Sequence, residues 1–149
     1  MENLNLPAHD FKLKHEGKKT QIFDSIRKKF VTLTPEEWVR QHFIQYLISE
    51  KKVPASLIAV EMGLKYIELN KRSDIVIYNK EGNPVLLVEC KAPDVKITQD
   101  TFDQIARYNM TLKVKYLALT NGISHYYCLI DRANNSYSFL LDLPVYSSL

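Results

Sequence analysis

The sequence predicts a mixed α/β fold in which helices flank a central sheet. A clear helix start, Thr34-Pro35-Glu36-Glu37, opens a segment with a wide apolar stripe. Several short apolar runs follow, rich in β-branched residues and bounded by turn residues. The resulting order of helix, strands, helix and strands is typical of helices packed on a sheet.

The first helix is predicted to run from Thr34 to about Lys51. Thr34 suits the N-cap, Pro35 suits the first helical position, and Glu37 completes a capping box. Because its apolar residues cover a wide stripe, we expect this helix to be partly buried against the sheet.

The remaining elements follow from apolar runs and turn residues. Thr98 is predicted to cap a second helix that reaches about Leu112. Short extended segments are expected at Phe11–Lys14 and Ile26–Leu33. Strands are predicted at Ile58–Met62, Asp74–Tyr78, Pro84–Cys90, Lys115–Thr120, Ser124–Ile130 and Tyr137–Leu141.

The length of 149 residues with 46% hydrophobic residues predicts a single domain. Within it we distinguish a basic N-terminal extension (1–33), a motif-bearing core (34–130) and a C-terminal strand and tail (131–149). No apolar stretch approaches the ~20 residues of a membrane span, and no secretory signal is recognised. Cys90 and Cys128 show no metal-ligand spacing and are expected to be thiols, so a cytoplasmic location is predicted.

Basic residues are concentrated in the N-terminal quarter and just before Asp74, although the net charge is only +3. Such clusters are typical of a surface that contacts a phosphate backbone. Taken alone, they are better explained as a solvated face. The residues concerned are Lys12, Lys14, Lys18, Lys19, Arg27, Lys28, Lys29, Lys65, Lys71 and Arg72.

The tripeptide Glu89-Cys90-Lys91 ends an apolar strand and is the most informative feature of the chain. Residues i and i+2 of a strand share a face, so Glu89 and Lys91 point to one side and Cys90 to the other. Charges at the end of a buried strand need partners, because burying an unpaired charge is costly.

A second acid, Asp74, is brought to this position by the preceding hairpin. A turn at Glu81-Gly82 sets Asp74 opposite Glu89, with Cβ atoms roughly 5 Å apart. A turn at Gly82-Asn83 sets Asp74 opposite Lys91 instead, and a bulged turn shifts the details. In both two-residue registers the three charged residues share one face.

This arrangement indicates a metal site for phosphodiester hydrolysis. Two facing carboxylates repel each other unless a cation lies between them, and Mg²⁺ is commonly held by one or two carboxylates together with water and phosphate. Lys91 is suited to stabilise charge that develops on the phosphate. The alternative is an Asp-Lys or Glu-Lys ion pair on an exposed sheet face, which would contribute little.

Asp74 followed by Glu89-Cys90-Lys91 resembles the D…(D/E)-x-K signature of the PD-(D/E)XK nuclease superfamily, with Ser73 in place of the proline. Over roughly Thr34 to Ile130 the chain also resembles the N-terminal nuclease domain of type I restriction enzyme R subunits. The motifs, in chain order, are Pro35-Glu36-Glu37-Trp38-Val39-Arg40-Gln41, Arg72-Ser73-Asp74-Ile75-Val76-Ile77, Val88-Glu89-Cys90-Lys91-Ala92-Pro93, Gln104-Ile105-Ala106-Arg107-Tyr108 and Leu119-Thr120-Asn121-Gly122.

The resemblance implies roles for the acid-acid-lysine set. Asp74 and Glu89 would be ligands of Mg²⁺, with Mn²⁺ as a substitute, and the backbone carbonyl of Cys90 would be a third ligand. Lys91 would be the catalytic lysine. Glu37 would be the supporting acid of the first helix. Glu36 is an alternative for that role, and the capping box is an alternative explanation of Glu37.

The resemblance also assigns the second helix. Gln104 and Tyr108 match a Q-x3-Y motif and lie on one helix face because they are four residues apart. They would support the site, and Gln104, Lys71 and Arg72 would contact nucleic acid. Without the resemblance, Tyr108 is better explained by core packing.

A PD-(D/E)XK restriction-endonuclease-like core with these residues predicts a Mg²⁺-dependent DNA endonuclease of a restriction system. Its partners would be DNA and either restriction-modification subunits or a second copy of the chain, without a membrane. No G-x-x-x-x-G-K-[ST] pattern occurs, so no ATP site is expected. The alternatives are a non-catalytic DNA-binding or complex-assembly module, and a protein-interaction domain without a nucleic-acid role.

Overall fold

A computed structural model of the chain describes residues 1–63, 72–109 and 114–149, with the backbone alone at 61–63, 72–73 and 108. The described residues form a three-stranded antiparallel sheet, a six-stranded mixed sheet and two α-helices. The mixed α/β class predicted from the sequence is confirmed. No helix in the described ranges is long and apolar enough to cross a membrane.

The small sheet precedes both helices and the large sheet along the chain. It comprises β1 (Leu13–Glu16), β2 (Lys19–Asp24) and β3 (Lys29–Thr32), and the helices are α1 (Pro35–Ser49) and α2 (Gln99–Asn109). The large sheet has the order β4 (Ile58–Gly63), β5 (Arg72–Tyr78), β6 (Pro84–Cys90), β7 (Tyr116–Thr120), β8 (His125–Asp131) and β9 (Ser136–Leu140). Short 3₁₀ turns occur at Ala55–Leu57 and Tyr146–Ser148.

Both helices begin where their capping threonines predict. The Thr34 hydroxyl accepts a hydrogen bond from the Glu37 N–H at 3.0 Å, and the Thr98 hydroxyl accepts one from the Thr101 N–H at 3.2 Å. α1 ends at Ser49, two residues before the predicted end. The predicted end of α2 near Leu112 lies outside the described residues.

The large sheet lies between the two helices because alternate residues of its strands point to opposite sides. α1 packs on one side and α2 on the other. The α1 side buries Val39, Phe43, Ile44 and Leu47 against Ile75, Ile77, Leu86, Val88, Cys90 and Ala118. The α2 side buries Phe102, Ile105 and Ala106 against Val76, Leu87, Leu117, Leu119 and Cys128. Full burial of a side chain as large as Phe43 or Phe102 stabilises the fold by about 1.5–3 kcal/mol, so these contacts hold each helix to its side.

The β5–β6 hairpin has the first of the two predicted registers along most of its length. Ile75 pairs with Val88 and Val76 with Leu87, so the same register continued by one residue sets Asp74 against Glu89. Nearer the turn a bulge pairs Tyr78 with Pro84 instead of Val85. The longer turn has a local cause, because the Asn79 side chain accepts hydrogen bonds from the Glu81 and Asn83 N–H groups.

β6 and β7 are parallel and are joined through α2, whereas the other strand pairs of the large sheet are antiparallel. Cys90 pairs with Thr120 at the carboxyl ends of these two strands. The Glu89-Cys90-Lys91 and Thr120-Asn121 segments therefore meet at one edge of the sheet.

The N-terminal region is more ordered than the sequence predicted. β2 was not anticipated, and the second extended segment is shorter than Ile26–Leu33 because residues 25–28 form a turn closed by Asp24. The first segment begins at Leu13 rather than Phe11. Residues before β1 also pack on the core. Gly122 has a φ of +86°, and a Cβ added there would lie 2.8 Å from Leu4, so this position requires glycine.

Candidate functional site

Asp74 and Glu89 lie at the end of the β5–β6 hairpin, where the register predicted them. The Cys90 N–H donates to Asp74 Oδ2 at 2.7 Å, which fixes one carboxylate oxygen against β6. Arg40 Nη2 donates to Asp74 Oδ1 at 2.8 Å. Glu89 is buried, with 7% of its surface exposed. The hairpin thus places one fixed acid beside a second, buried one.

Lys91 is held at the same edge of the sheet by its backbone. Its N–H donates to the Thr120 carbonyl at 2.8 Å, which extends the parallel pairing of β6 and β7 by one residue. Its side chain is half-buried. The neighbouring Asn121 shapes the loop, because its side chain donates to the Val95 carbonyl and accepts from the Ile123 and Ser124 N–H groups. Lys91 thus begins the loop that leaves the acid-bearing strand.

Cys90 is buried in the core on the α1 side, the side of the sheet that α1 and its Arg40 cover. Burial raises the pKa of its thiol well above the usual value. Burial likewise raises the pKa of Cys128 to about 12. Both cysteines are free. A protonated, buried thiol is a poor nucleophile, so Cys90 contributes packing and backbone groups to the site.

Arg40 of α1 is a buried cation that joins the first helix to Asp74. Its guanidinium donates to Glu37 Oε1 at 2.7 Å, to Asp74 Oδ1 at 2.8 Å and to the half-exposed Glu36 at 3.2 Å. Burial alone would lower the pKa of Arg40, but the hydrogen bond to Asp74 and the charge of Glu37 outweigh it and raise this pKa. Arg40 therefore remains charged while 4% of its side chain is exposed.

Glu37 lies at the centre of a network of charged and amide groups. Besides Arg40, Arg27 Nη2 donates to its Oε1 at 2.9 Å and Gln41 Nε2 donates to its Oε2 at 3.0 Å. The N-cap bond uses the backbone N–H of Glu37, so its carboxylate can serve the network at the same time. Glu37 and Glu36 were the two acids predicted to support the metal site. Glu37 is the buried one, and Arg40 bridges it to Asp74.

The network extends into the N-terminal hairpin through Asp24, which is fully buried. Arg27 Nε donates to Asp24 Oδ2 at 2.6 Å, and Gln41 Nε2 donates to the same oxygen at 2.9 Å. Burial would raise the pKa of Asp24, but hydrogen bonds from Arg27 and Gln41 outweigh it and lower this pKa below its usual value. The β2–β3 turn is therefore tied to α1 by ionised groups.

A family model described as type I restriction enzyme R protein N terminus (HSDR_N) matches residues 35–144. The chain belongs to this family. The resemblance drawn from the sequence motifs is thereby confirmed. No curated protein matches the chain. The match begins at Pro35, so Asp24 and Arg27 lie outside the matched residues, although both contact α1.

The residues predicted on α2 are only partly described in this HSDR_N chain. Gln104 is exposed, while Phe102, Ile105 and Ala106 are buried as the apolar side of the helix predicted. The side chains of Tyr108 and Arg72 and the whole of Lys71 lie outside the described residues. The Q-x3-Y assignment and the nucleic-acid contacts of Lys71, Arg72 and Gln104 therefore stay predictions.

The sequence predicted no site role for Asp24, Arg40 and Gln41, and it counted Arg27 only among the basic residues of the N-terminal quarter. Arg40 carried a signal, because it lies three and four residues after Glu37 and Glu36, the spacing of helix ion pairs. Arg40 also follows Val39 on a helix with a wide apolar stripe, a position that favours burial of its side chain. Asp24 and Arg27 carried only the weaker signal of an Asp-led turn.

The donor groups of this HSDR_N site suit a hard cation such as Mg²⁺. They are the Asp74 and Glu89 carboxylates and the Cys90 backbone carbonyl, all oxygen atoms, and Mg²⁺ completes its octahedron with water and phosphate. No group of three or more His, Cys, Asp or Glu side chains able to hold a metal occurs among the described residues.

Proposed function

We propose that this HSDR_N domain is a metal-dependent DNA endonuclease with a PD-(D/E)XK core. The observation that carries the proposal is the β5–β6 register, in which Ile75 pairs with Val88. Continued by one residue, this register would bring Asp74 opposite Glu89, two residues before Lys91. Family membership supports it, because the family takes its name from the N terminus of a restriction enzyme subunit. The whole chain would then act as one domain in the cytoplasm, in a restriction system.

Each group has a defined task in the proposed reaction. Asp74, Glu89 and the Cys90 carbonyl would hold Mg²⁺ or Mn²⁺, which when bound activates water and neutralises charge on the phosphate. Lys91 would stabilise the charge that develops on the phosphate oxygens. Glu37 would support the site indirectly, since it holds Arg40 against Asp74.

Contacts with DNA would come from Gln104, Tyr108, Lys71 and Arg72. These residues would hold the DNA backbone in place beside Asp74 and Glu89, because phosphate contacts position a protein on the duplex. The domain would act with restriction-modification subunits or as a homodimer.

Cleavage of supercoiled and linear DNA with Mg²⁺ or Mn²⁺ tests the proposal. Wild type should cleave, and Lys91→Ala should lose about 10²–10³-fold in rate, the usual cost of removing one charge-stabilising donor. Lys96→Ala is the matched control, because Lys96 is an exposed lysine in the loop that follows. Wild type without metal-dependent cleavage, or an equal loss in both variants, would contradict the assignment.

The second candidate is a non-catalytic DNA-binding or complex-assembly module that keeps the fold. It is favoured by one observation, namely that both Asp74 oxygens already accept hydrogen bonds from Arg40 and Cys90. This candidate predicts salt-dependent DNA binding without heat of metal binding in calorimetry, and no cleavage under any metal condition.

A further inference from the structure

Arg40 occupies the oxygen of Asp74 that does not bond to β6. Asp74 Oδ2 is held by the Cys90 N–H, and Oδ1 accepts from Arg40 Nη2 at 2.8 Å. A carboxylate has about four lone-pair sites, so Oδ1 could accept a second partner by geometry alone. Charge is the obstacle, because a guanidinium and a divalent cation on one oxygen repel each other.

The guanidinium has other acids to bind when it leaves Asp74. Nη1 donates to Glu37 Oε1 at 2.7 Å, and Nη2 also reaches Glu36 Oε2 at 3.2 Å. Both acids lie on α1 with Arg40 itself, at spacings of three and four residues. Arg40 would therefore give up the carboxylate on β5 and stay paired with the two carboxylates of its own helix.

We propose that Arg40 is a positioning residue that serves as the counter-ion of Asp74 and competes with the divalent cation for Oδ1. This inference rests on the proposed function, since it requires the metal to bind at Asp74. Metal binding then moves the guanidinium from Asp74 toward Glu36 and Glu37. The affinity for the cation is lower than the two carboxylates alone would provide.

The chain offers a matched control for the removal of one positive charge. Arg27 belongs to the same network and donates to the same Glu37 oxygen at 2.9 Å, and its Nε donates to Asp24 Oδ2 at 2.6 Å. If only the loss of a positive charge mattered, removal of either arginine would raise the affinity for the cation. If Arg40 competes with the cation for Asp74 Oδ1, removal of Arg40 should raise this affinity much more than removal of Arg27.

The test is calorimetric titration of Mn²⁺ into wild type, Arg40→Gln and Arg27→Gln. We expect Arg40→Gln to bind Mn²⁺ roughly tenfold more tightly than wild type, the scale on which one neighbouring charge shifts an equilibrium. Arg27→Gln should change much less. Equal affinity of wild type and Arg40→Gln, or equal gains in both variants, would overturn the inference while leaving the nuclease proposal intact.

Wild type provides an independent measurement if Arg40→Gln does not fold. In a ¹⁵N-edited titration with Mg²⁺, the side-chain N–H signals of Arg40 should shift with the occupancy of the cation, and those of Arg27 should stay close to their starting positions. Saturable Mg²⁺ binding with unmoved Arg40 signals would overturn the inference. Failure of wild type to bind either cation would overturn both this inference and the metal-dependent function.

Discussion

The two helices cover opposite sides of one sheet, and both bury aromatic and aliphatic side chains against it, but their polar residues differ. On α1, Glu37, Arg40 and Gln41 are buried and joined in the network that reaches Asp74. On α2, Gln99, Asp103 and Gln104 lie nearer to solvent. Asp103 there accepts hydrogen bonds from Gln99 and from the Tyr137 hydroxyl.

The two helices therefore differ in how much their polar side chains should contribute to stability. An exposed ion pair or hydrogen bond contributes little, because water competes for each group. Substitution within a buried charged network lowers stability strongly, because removing one member leaves a buried charge without its partner. The charged network of α1 should therefore tolerate substitution poorly, whereas Gln99, Asp103 and Gln104 of α2 should tolerate it well.

The largest difference is expected between Asp24→Ala and Asp103→Ala. Loss of Asp24 leaves Arg27 and Gln41 short of an acceptor in a buried setting and should lower the free energy of unfolding by about 3–5 kcal/mol. Asp103→Ala should leave the urea midpoint unchanged within error. Equal losses in the two variants would show that burial of the network does not govern its contribution.

Acid should weaken the network that joins Asp24 to α1. The pKa of Asp24 is lowered in the folded state, so its contribution is complete above the unfolded-state value of 3.8 and is lost as pH falls through the folded pKa. Urea unfolding at a series of pH values should show a steep loss of stability below that value in wild type. Asp24→Asn should be less stable at neutral pH but should depend less on pH in this range. Parallel pH profiles for the two proteins would contradict this assignment.

The smallest difference is expected between the two helix caps. Thr34→Ala and Thr98→Ala each remove a hydroxyl that accepts one N–H at the start of a helix. Each should lower the free energy of unfolding by about 1 kcal/mol. Matching values would show that the helices differ through their polar networks rather than through intrinsic helix stability. A much larger loss for Thr34 would indicate that the cap also orients Glu37.

Features that depend on near neighbours in the sequence could be predicted. The Thr34 and Thr98 caps, the bounds of β6 and the pairing of Val76 with Leu87 all follow from local capping rules, apolar runs and turn arithmetic. Turn arithmetic did not decide whether a bulge occurs beside Tyr78, because the bulge depends on how the Asn79 side chain closes the turn.

Features that depend on distant partners could not be predicted. β2 has the sequence Lys-Thr-Gln-Ile-Phe-Asp, in which few residues are apolar, and its strand state depends on pairing with β1 and β3. The bond between Arg40 and Asp74 joins residues 34 positions apart. Neither residue type nor spacing shows that a guanidinium on α1 will reach a carboxylate on β5.

The bonds of Asp24 and Arg27 to α1 have a consequence for how this family is delimited. The match to HSDR_N begins at Pro35, yet the preceding hairpin supplies an ionic partner of Glu37, namely Arg27, and a hydrogen-bond acceptor for Gln41, namely Asp24. A protein cut at the start of the match would retain Asp74, Glu89 and Lys91 and lose the Arg27 charge that helps to neutralise Glu37. In this chain, the matched residues therefore leave out part of the charged network that surrounds the first helix.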